Sequence, residues 1–243
     1  MRLADHFIRS GDTLFRWRGQ LPLLMLPLFA AGMLEARLPA DLSGGLRACQ
    51  VAATAVALAG LLIRIVAIGT APEGTSERST TNPRASRLRT TGLYSLVRHP
   101  LYVGNTITAV GLAGFTTRWY LPVIVLLLGL LYHERIAARE EAFLEERFGD
   151  EFRRWAETVP AAVPRLSAYV PSDTPFVWRR VLGREFHGLM VIASVVFVLD
   201  LARRFLADAT LRPDPLWAWF FGLSAAVFLT CSVAKKTTGV FRS

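Results

Sequence analysis

Two stretches of this sequence carry residue types at spacings that suit chemistry. Leu88–Gly104 reads L-R-T-T-G-L-Y-S-L-V-R-H-P-L-Y-V-G. Pro100 disfavours helical geometry at His99 and is well suited to the first turn of a following helix. Arg98 and His99 therefore stand at a helix N-terminus, where backbone N–H groups and the helix dipole favour an anionic group. Gly92 offers a flexible backbone point, and Tyr94 and Tyr102 can stack on a flat ring. The blander reading has Arg98 on a lipid phosphate and His99 as a helix cap. His133–Arg165 reads H-E-R-I-A-A-R-E-E-A-F-L-E-E-R-F-G-D-E-F-R-R-W-A-E-T-V-P-A-A-V-P-R. Glu140 and Glu141 fall one or two helical turns beyond an apolar run, and Glu141 shares a helical face with Glu134 and Glu145. Arg135–Arg139 and Glu141–Glu145 stack like charges at i,i+4, which costs a few tenths of a kcal/mol and hints at partners elsewhere.

The elements that must position these residues are membrane helices. Hydrophobic residues make up 52% of the 243, in long blocks with the charges between them, and the mean hydropathy is positive. A spanning helix needs about 20 mostly apolar residues. Candidates run from about Gln20 to Glu35, Leu46 to Gly69, Leu101 to Phe115, Trp119 to Tyr132, Phe186 to Leu206 and Leu216 to Ala234. The expectation is thus an all-α polytopic bundle of about six transmembrane helices. The third and fourth are short and form a helical hairpin around Thr116-Thr117-Arg118. Arg64 is expected to snorkel from the end of the second. Asn105, Thr106 and Thr108 mark one face of the third, and Gly104, Ala109, Gly111 and Ala113 permit close helix approach. Leu144, Phe148, Phe152, Trp155 and Val159 form one stripe of a cytoplasmic amphipathic helix that lies on the membrane or on the bundle, with Gly149 as a bend.

The formal net charge is +9. The arginines cluster beside apolar blocks, where topology-setting charges and headgroup contacts belong, so nucleic acid is not the expected partner. Thr70–Pro100 and Glu134–Glu185 hold most of them, including Arg78, Arg84, Arg87, Arg89, Arg98, Arg179, Arg180 and Arg184. By the positive-inside rule both segments and both termini face the cytoplasm. Trp119, Trp217 and Trp219 fall at helix ends, as interfacial aromatics do. Arg9, Arg16 and Arg18 ahead of Leu21–Leu34 imitate a signal peptide, but an uncleaved first helix fits better, with cleavage after Leu38-Pro39-Ala40 as the alternative. Cys49 and Cys231 read as small buried hydrophobes, His6 as exposed and His187 as packed near a helix end. No metal-ligand spacing, P-loop, dinucleotide loop or nucleophile elbow occurs.

In order and spacing, the two stretches resemble the isoprenylcysteine carboxyl methyltransferase family and its relatives, the phospholipid N-methyltransferases. The first part is Thr90 or Thr91, Gly92, Tyr94, Arg98, His99, Pro100, Tyr102 and Gly104. The second is Glu140, Glu141, Leu144, Phe148, Gly149, Phe152, Trp155, Val159, Pro160 and Pro164. Phe152 and Trp155 stand where the family often has tyrosines. The resemblance divides a single membrane domain, 1–243, into N-terminal spans (1–70), a methyltransferase-like core (88–165) and C-terminal spans (186–234) outside the shared core. It implies that S-adenosylmethionine is the cofactor, lined by Tyr94, Arg98, His99, Pro100, Tyr102, Gly104, Glu140 and Glu141. Arg98, His99, Glu140, Glu141 and Arg139 are the implied catalytic residues, with Arg135 or Arg139 steering an anionic headgroup. The implied acceptor is a membrane lipid or lipid-linked substrate: an isoprenylcysteine carboxylate, a phospholipid amine or a lipid phosphate. The implied setting is a bacterial inner membrane. A sterol-type NADPH reductase is the competing class, since it has a related R-H-P-x-Y segment. Glu140-Glu141 stands where Asp-Glu is expected for it. A non-catalytic membrane protein is the third.

Overall fold

Proline, glycine and runs of small apolar residues set the helix boundaries. The computed structural model describes Ser10, Gly11, Thr13, Leu14 and residues 25–36, 44–71 and 87–237. His6, Arg9, Arg16, Arg18, Leu38–Ala40, Arg78, Arg84 and the start of the first predicted span lie outside the described residues. In chain order the helices are α1 (Leu26–Ala36), α2 (Gly44–Gly69), α3 (Pro100–Gly114), α4 (Tyr120–Phe148), α5 (Asp150–Thr158), α6 (Trp178–Leu182), α7 (Phe186–Asp208) and α8 (Pro215–Thr237). Short 3-10 turns occur at Leu93–Ser95 and Leu166–Ala168. Among the described residues there is no strand, only an isolated antiparallel bridge between Gly92 and Val170.

Three of these helices, α2, α4 and α8, are long and apolar enough to cross a membrane. Their outward faces carry exposed Leu62, Leu127, Leu131, Leu223 and Leu229, as lipid-facing helices do. Of the other predicted spans, α1 has 11 residues in its described part and α3 has 15, short of the roughly 20 that a crossing needs. The fifth is α7, whose C-terminal half carries Asp200, Arg203 and Arg204.

The seam between α2 and α3 is made of small residues. A β-carbon on Gly60 would lie 2.5 Å from the Gly104 carbonyl oxygen, and one on Gly104 would lie 2.8 Å from the Gly60 carbonyl oxygen. Thr108 Oγ1 donates to the Ala57 carbonyl at 3.1 Å. This is the close approach that the small residues of α3 predict. The fourth predicted helix does not stop at Tyr132. It continues as α4 to Phe148, because the charged residues that follow the apolar run are themselves strong helix formers. Gly149, at φ 53°, breaks it. The chain then folds back as α5, and Phe152, Trp155 and Val159 close on Leu88, with Tyr94, Leu144 and Phe148 against them. The amphipathic stripe therefore packs on the protein.

The C-terminal helices are pinned at both ends by buried charges. At one end Arg64 holds Glu185 through Nε and Nη2, both at 2.8 Å, and donates from Nη1 to Asn105 Oδ1 at 2.5 Å. The predicted snorkelling of Arg64 gives way to this fork because a buried carboxylate outbids the headgroup layer. At the other end fully buried Asp200 meets Arg203 at 2.9 Å and Arg204 at 3.3 Å. Arg204 and Arg47 both reach Asp214. Trp119 and Trp219 are exposed at helix ends as predicted, but Trp217 is 4% exposed and packs edge-on against Phe115. It is a core residue, because its face of α8 turns toward α2 and α3. Cys231 is buried as expected, whereas Cys49 is exposed on α2. His187 packs against Phe186 and Phe228.

Glu185→Ala leaves the Arg64 charge without its carboxylate and should destabilise by about 3–5 kcal/mol. The double change Arg64→Leu with Glu185→Leu should lose clearly less. Thermal unfolding of the detergent-solubilised variants checks the order, and equal losses would contradict it.

Candidate functional site

The loop before α3 and the second half of α4 meet where the sequence places its chemistry. His99 has φ −126° and ψ 65°, and Pro100 opens the helix behind it, fully buried. The His99 ring is held between two carboxylates of α4. Its Nε2 is 2.8 Å from Glu141 Oε1 and its Nδ1 is 3.6 Å from Glu140 Oε2. Arg98 Nε lies 3.2 Å from the same Glu141 oxygen. That contact is Coulombic, because the buried Nε–H makes no hydrogen bond. Arg98 Nη1 donates to the Ala156 carbonyl at 3.4 Å. Tyr102 Oη donates to Glu140 Oε1 at 2.6 Å. The like-charge stack at Glu141–Glu145 is relieved in space: Glu141 faces Arg98 and His99, and Glu145 pairs with Arg153 at 2.7 Å.

Burial alone would lower the His99 pKa, since it disfavours the charged ring. The hydrogen bonds and charges of Glu140 and Glu141 outweigh it and hold the imidazolium at about 9, raised from 6.5. His99, outside the spanning segments, is thus a cation at neutral pH. Two cations and two anions close on one another in this cluster.

His133 joins them, although sequence reasoning left it at a helix end. Its ring stacks on Tyr102 with centroids 4.8 Å apart, and Tyr102 stacks on His99 at 5.5 Å. Thr106 Oγ1 bridges the Tyr102 carbonyl and His133 Nδ1, at 2.9 Å each. A hydroxyl has one proton, so if it goes to the carbonyl, Nδ1 carries the hydrogen and Nε2 is the lone-pair nitrogen. The available signal was periodicity: His133 and Glu140 are seven apart, two turns on one face of α4.

Other candidates stand apart. Tyr94 packs beside α5, with Arg89 over its ring at 5.3 Å and Trp155 Nε1 donating to its carbonyl at 3.3 Å. Gly104 faces Gly60 and Arg64 of α2. Its side of α3 is a helix crossing. Arg139 and Arg135 lie where Gly11 meets α4: a β-carbon on Gly11 would be 3.1 Å from the Arg139 β-carbon. Pro100 stands at the first turn of α3 and is fully buried. Among the described residues, no group of three or more His, Cys, Asp or Glu is arranged to hold a metal ion.

A strap unforeseen in the sequence fixes the loop from outside. Residues 160–177 run antiparallel to 98–87 and bond to them: Arg98 N to Pro160 O at 2.9 Å, Arg165 N to Leu96 O at 3.0 Å, Val170 N to Ser95 Oγ at 2.9 Å and Gly92 N to Val170 O at 2.9 Å. Gly92 needs its positive φ of 62° at that bridge. Asp173 continues the run, taking bonds from Arg87 at 2.8 Å and Thr91 at 2.9 Å.

Residues 50–151, spanning α2 to the first residues of α5, match the phospholipid methyltransferase family. Among relatives, a protein-S-isoprenylcysteine O-methyltransferase of Schizosaccharomyces pombe is 35% identical over 80 residues, 32% of this chain and 34% of its own length. The nickel-cobalt-cadmium resistance protein NccN of Alcaligenes xylosoxydans xylosoxydans is 37% identical over 126 residues, 49% of this chain and 57% of its own. The cobalt-zinc-cadmium resistance protein CzcN of Cupriavidus metallidurans is 39% identical over 87 residues, 36% of this chain and 40% of its own. The chain thus spans between a third and somewhat over half of the length of these relatives. No solved structure matches it.

The raised His99 pKa has a sign that can be checked. Its stabilising effect is complete below pH 6.5 and is lost as pH rises through about 9. Amide exchange over Leu88–Arg98, corrected for intrinsic rate, should speed up across that window. A His99→Gln variant should lose the dependence. A pH-independent profile in the unaltered protein would contradict the imidazolium.

Proposed function

We propose that this protein is an S-adenosylmethionine-dependent methyltransferase of the membrane, acting on a lipid or lipid-linked acceptor. The observation that carries this reading is the meeting of Arg98 and His99 with Glu140 and Glu141 at one end of the bundle. The family of residues 50–151 and the isoprenylcysteine methyltransferase relative support it.

The donor set fits the cofactor. Arg98 has a buried Nε–H without a hydrogen bond, and His99 carries a proton on each ring nitrogen. Together they suit a carboxylate. Glu140 and Glu141 suit an ammonium group and ribose hydroxyls. Without ligand these four neutralise one another. The amino-acid end of the cofactor is a zwitterion and would replace each internal contact by one of the same sign, so that this end exchanges ion pairs with the cluster. The aromatic stack His99–Tyr102–His133 offers a flat wall.

When bound, S-adenosylmethionine supplies a methyl group on a sulfonium, open to direct in-line displacement. The chain's own residues align donor and acceptor and keep water out. A carboxylate or phosphate acceptor is already anionic and needs no base, whereas an amine must first lose a proton. The basic segments on this side favour an anionic headgroup, with Arg135 or Arg139 of α4 as the steering charge. The reading also expects the loop side of the bundle to face the cytoplasm, where the cofactor is.

Incubating the purified protein with radiolabelled S-adenosylmethionine and total membrane lipid should label one lipid species. Glu140→Gln and Glu141→Gln should each weaken cofactor binding about ten- to a hundredfold by calorimetry, the worth of a charge-assisted hydrogen bond. Arg135→Glu or Arg139→Glu should raise acceptor KM more than cofactor Kd. Tight binding of NADPH in place of S-adenosylmethionine would overturn the reading.

A further inference from the structure

The outer edge of the strap has a composition that its inner edge does not explain. Leu166 is 77% exposed, Tyr169 57%, Val170 48%, Trp178 65% and Leu182 43%. A soluble surface rarely gathers so many large apolar side chains in one short segment. Cations lie among them: Arg165 and Arg179 are exposed, and Arg180 and Arg184 are partly so. The acidic residue of the stretch between them, Asp173, is already engaged by Arg87 and Thr91.

The height of this segment is set by α2. Val177 N donates to the Gly69 carbonyl at 2.8 Å, and Arg180 donates to the Ala71 carbonyl. Phe176 lies flat against Gly69, so closely that a β-carbon there would collide with its ring. Gly69 is the last residue of a helix long and apolar enough to cross the membrane. Lys235, near the end of α8, donates to the Gly183 carbonyl at 3.2 Å. The apolar strap is therefore level with the ends of two candidate spans, at the boundary where aromatic rings and arginines sit together.

We propose that the segment Leu166–Leu182 is an interfacial anchor lying in the anionic headgroup layer of the bilayer. Its apolar side chains enter the boundary between headgroups and acyl chains, and its arginines meet lipid phosphates. Continuity with α2 and α8 and the excess of arginine over acidic side chains between Arg165 and Arg184 argue for lipid as the occupant, against a second copy or a soluble protein. The inference rests on the membrane crossing of α2 and α8 and not on the methyl-transfer reading. One consequence touches the site: because the strap's inner edge is bonded to residues 87–98, the anchor holds the Arg98–His99 loop at a fixed depth.

Spin labels test it in the full chain. Leu166→Cys and Trp178→Cys are made in a Cys49→Ser, Cys231→Ser background, with Glu157→Cys as an exposed control on α5 and Leu128→Cys as a lipid-facing control on α4. The protein is placed in phosphatidylcholine vesicles with or without phosphatidylglycerol. Labels at 166 and 178 should have oxygen-to-nickel accessibility ratios several-fold above the Glu157 control, and higher again with phosphatidylglycerol. Arg165→Glu with Arg179→Glu should remove that increase, since each basic residue near the surface is worth about a fivefold preference for anionic lipid. Ratios equal to the Glu157 control in both vesicles would overturn the proposal and leave the surface to a protein partner. Immersion indifferent to lipid charge would overturn it as well.

Discussion

The site depends on a balance between burial and charge around His99. An imidazole in this position would be neutral if it were merely buried, and one that was merely exposed would titrate near neutrality. Glu140 and Glu141 reach it from another helix and keep it charged, and Arg98 adds a second cation against Glu141. Each partner here is costly without the others. Removing any one leaves a partly buried charge uncompensated, so the loop and α4 must stay together for the cluster to exist. Under the proposed reading, the same tension suits a zwitterionic group, which would satisfy both signs at once.

The rest of the fold holds that meeting in register. The glycine seam draws α3 against α2, which fixes the helix that begins at Pro100. The long run of α4 carries the glutamates beyond the apolar span to the height of the loop. The break at Gly149 lets α5 return over Leu88 and Tyr94, and the strap then laces the loop from its other side. Arg64, bound to Glu185 and Asn105, ties the C-terminal helices to α2 and α3, with Asn105 next to the Thr106 that holds His133. The helices outside the methyltransferase-like segment are joined by buried charge to the helix that carries Tyr102.

What could be read in the sequence was what local patterns encode. Apolar blocks gave the long helices, the X-Pro step gave the start of α3, and motif order brought Arg98 and His99 to Glu140 and Glu141. Length misled at α4, because the apolar run ends near Tyr132 while the helix, with Glu, Arg and Ala to extend it, does not. The strap was illegible because it is made of backbone bonds between two loops, and such bonds leave no residue-type signature. Trp217 and Arg64 were misjudged for a related reason: the same residue types serve at an interface and in a core, and only the partner, Phe115 or Glu185, decides. Tyr94 and Gly104 belong to the motif by position, yet one packs on α5 and the other on α2, so motif spacing alone does not tell which of its residues meet in space.

The central claim is that Arg98 and Glu141 act as one unit toward a single ligand. A double-mutant cycle on S-adenosylmethionine affinity, with Arg98→Gln, Glu141→Gln and both together, measures this directly. The account predicts that the two losses are not additive and that the coupling is about 1–3 kcal/mol. Strictly additive losses, or affinity unchanged by either substitution, would contradict it.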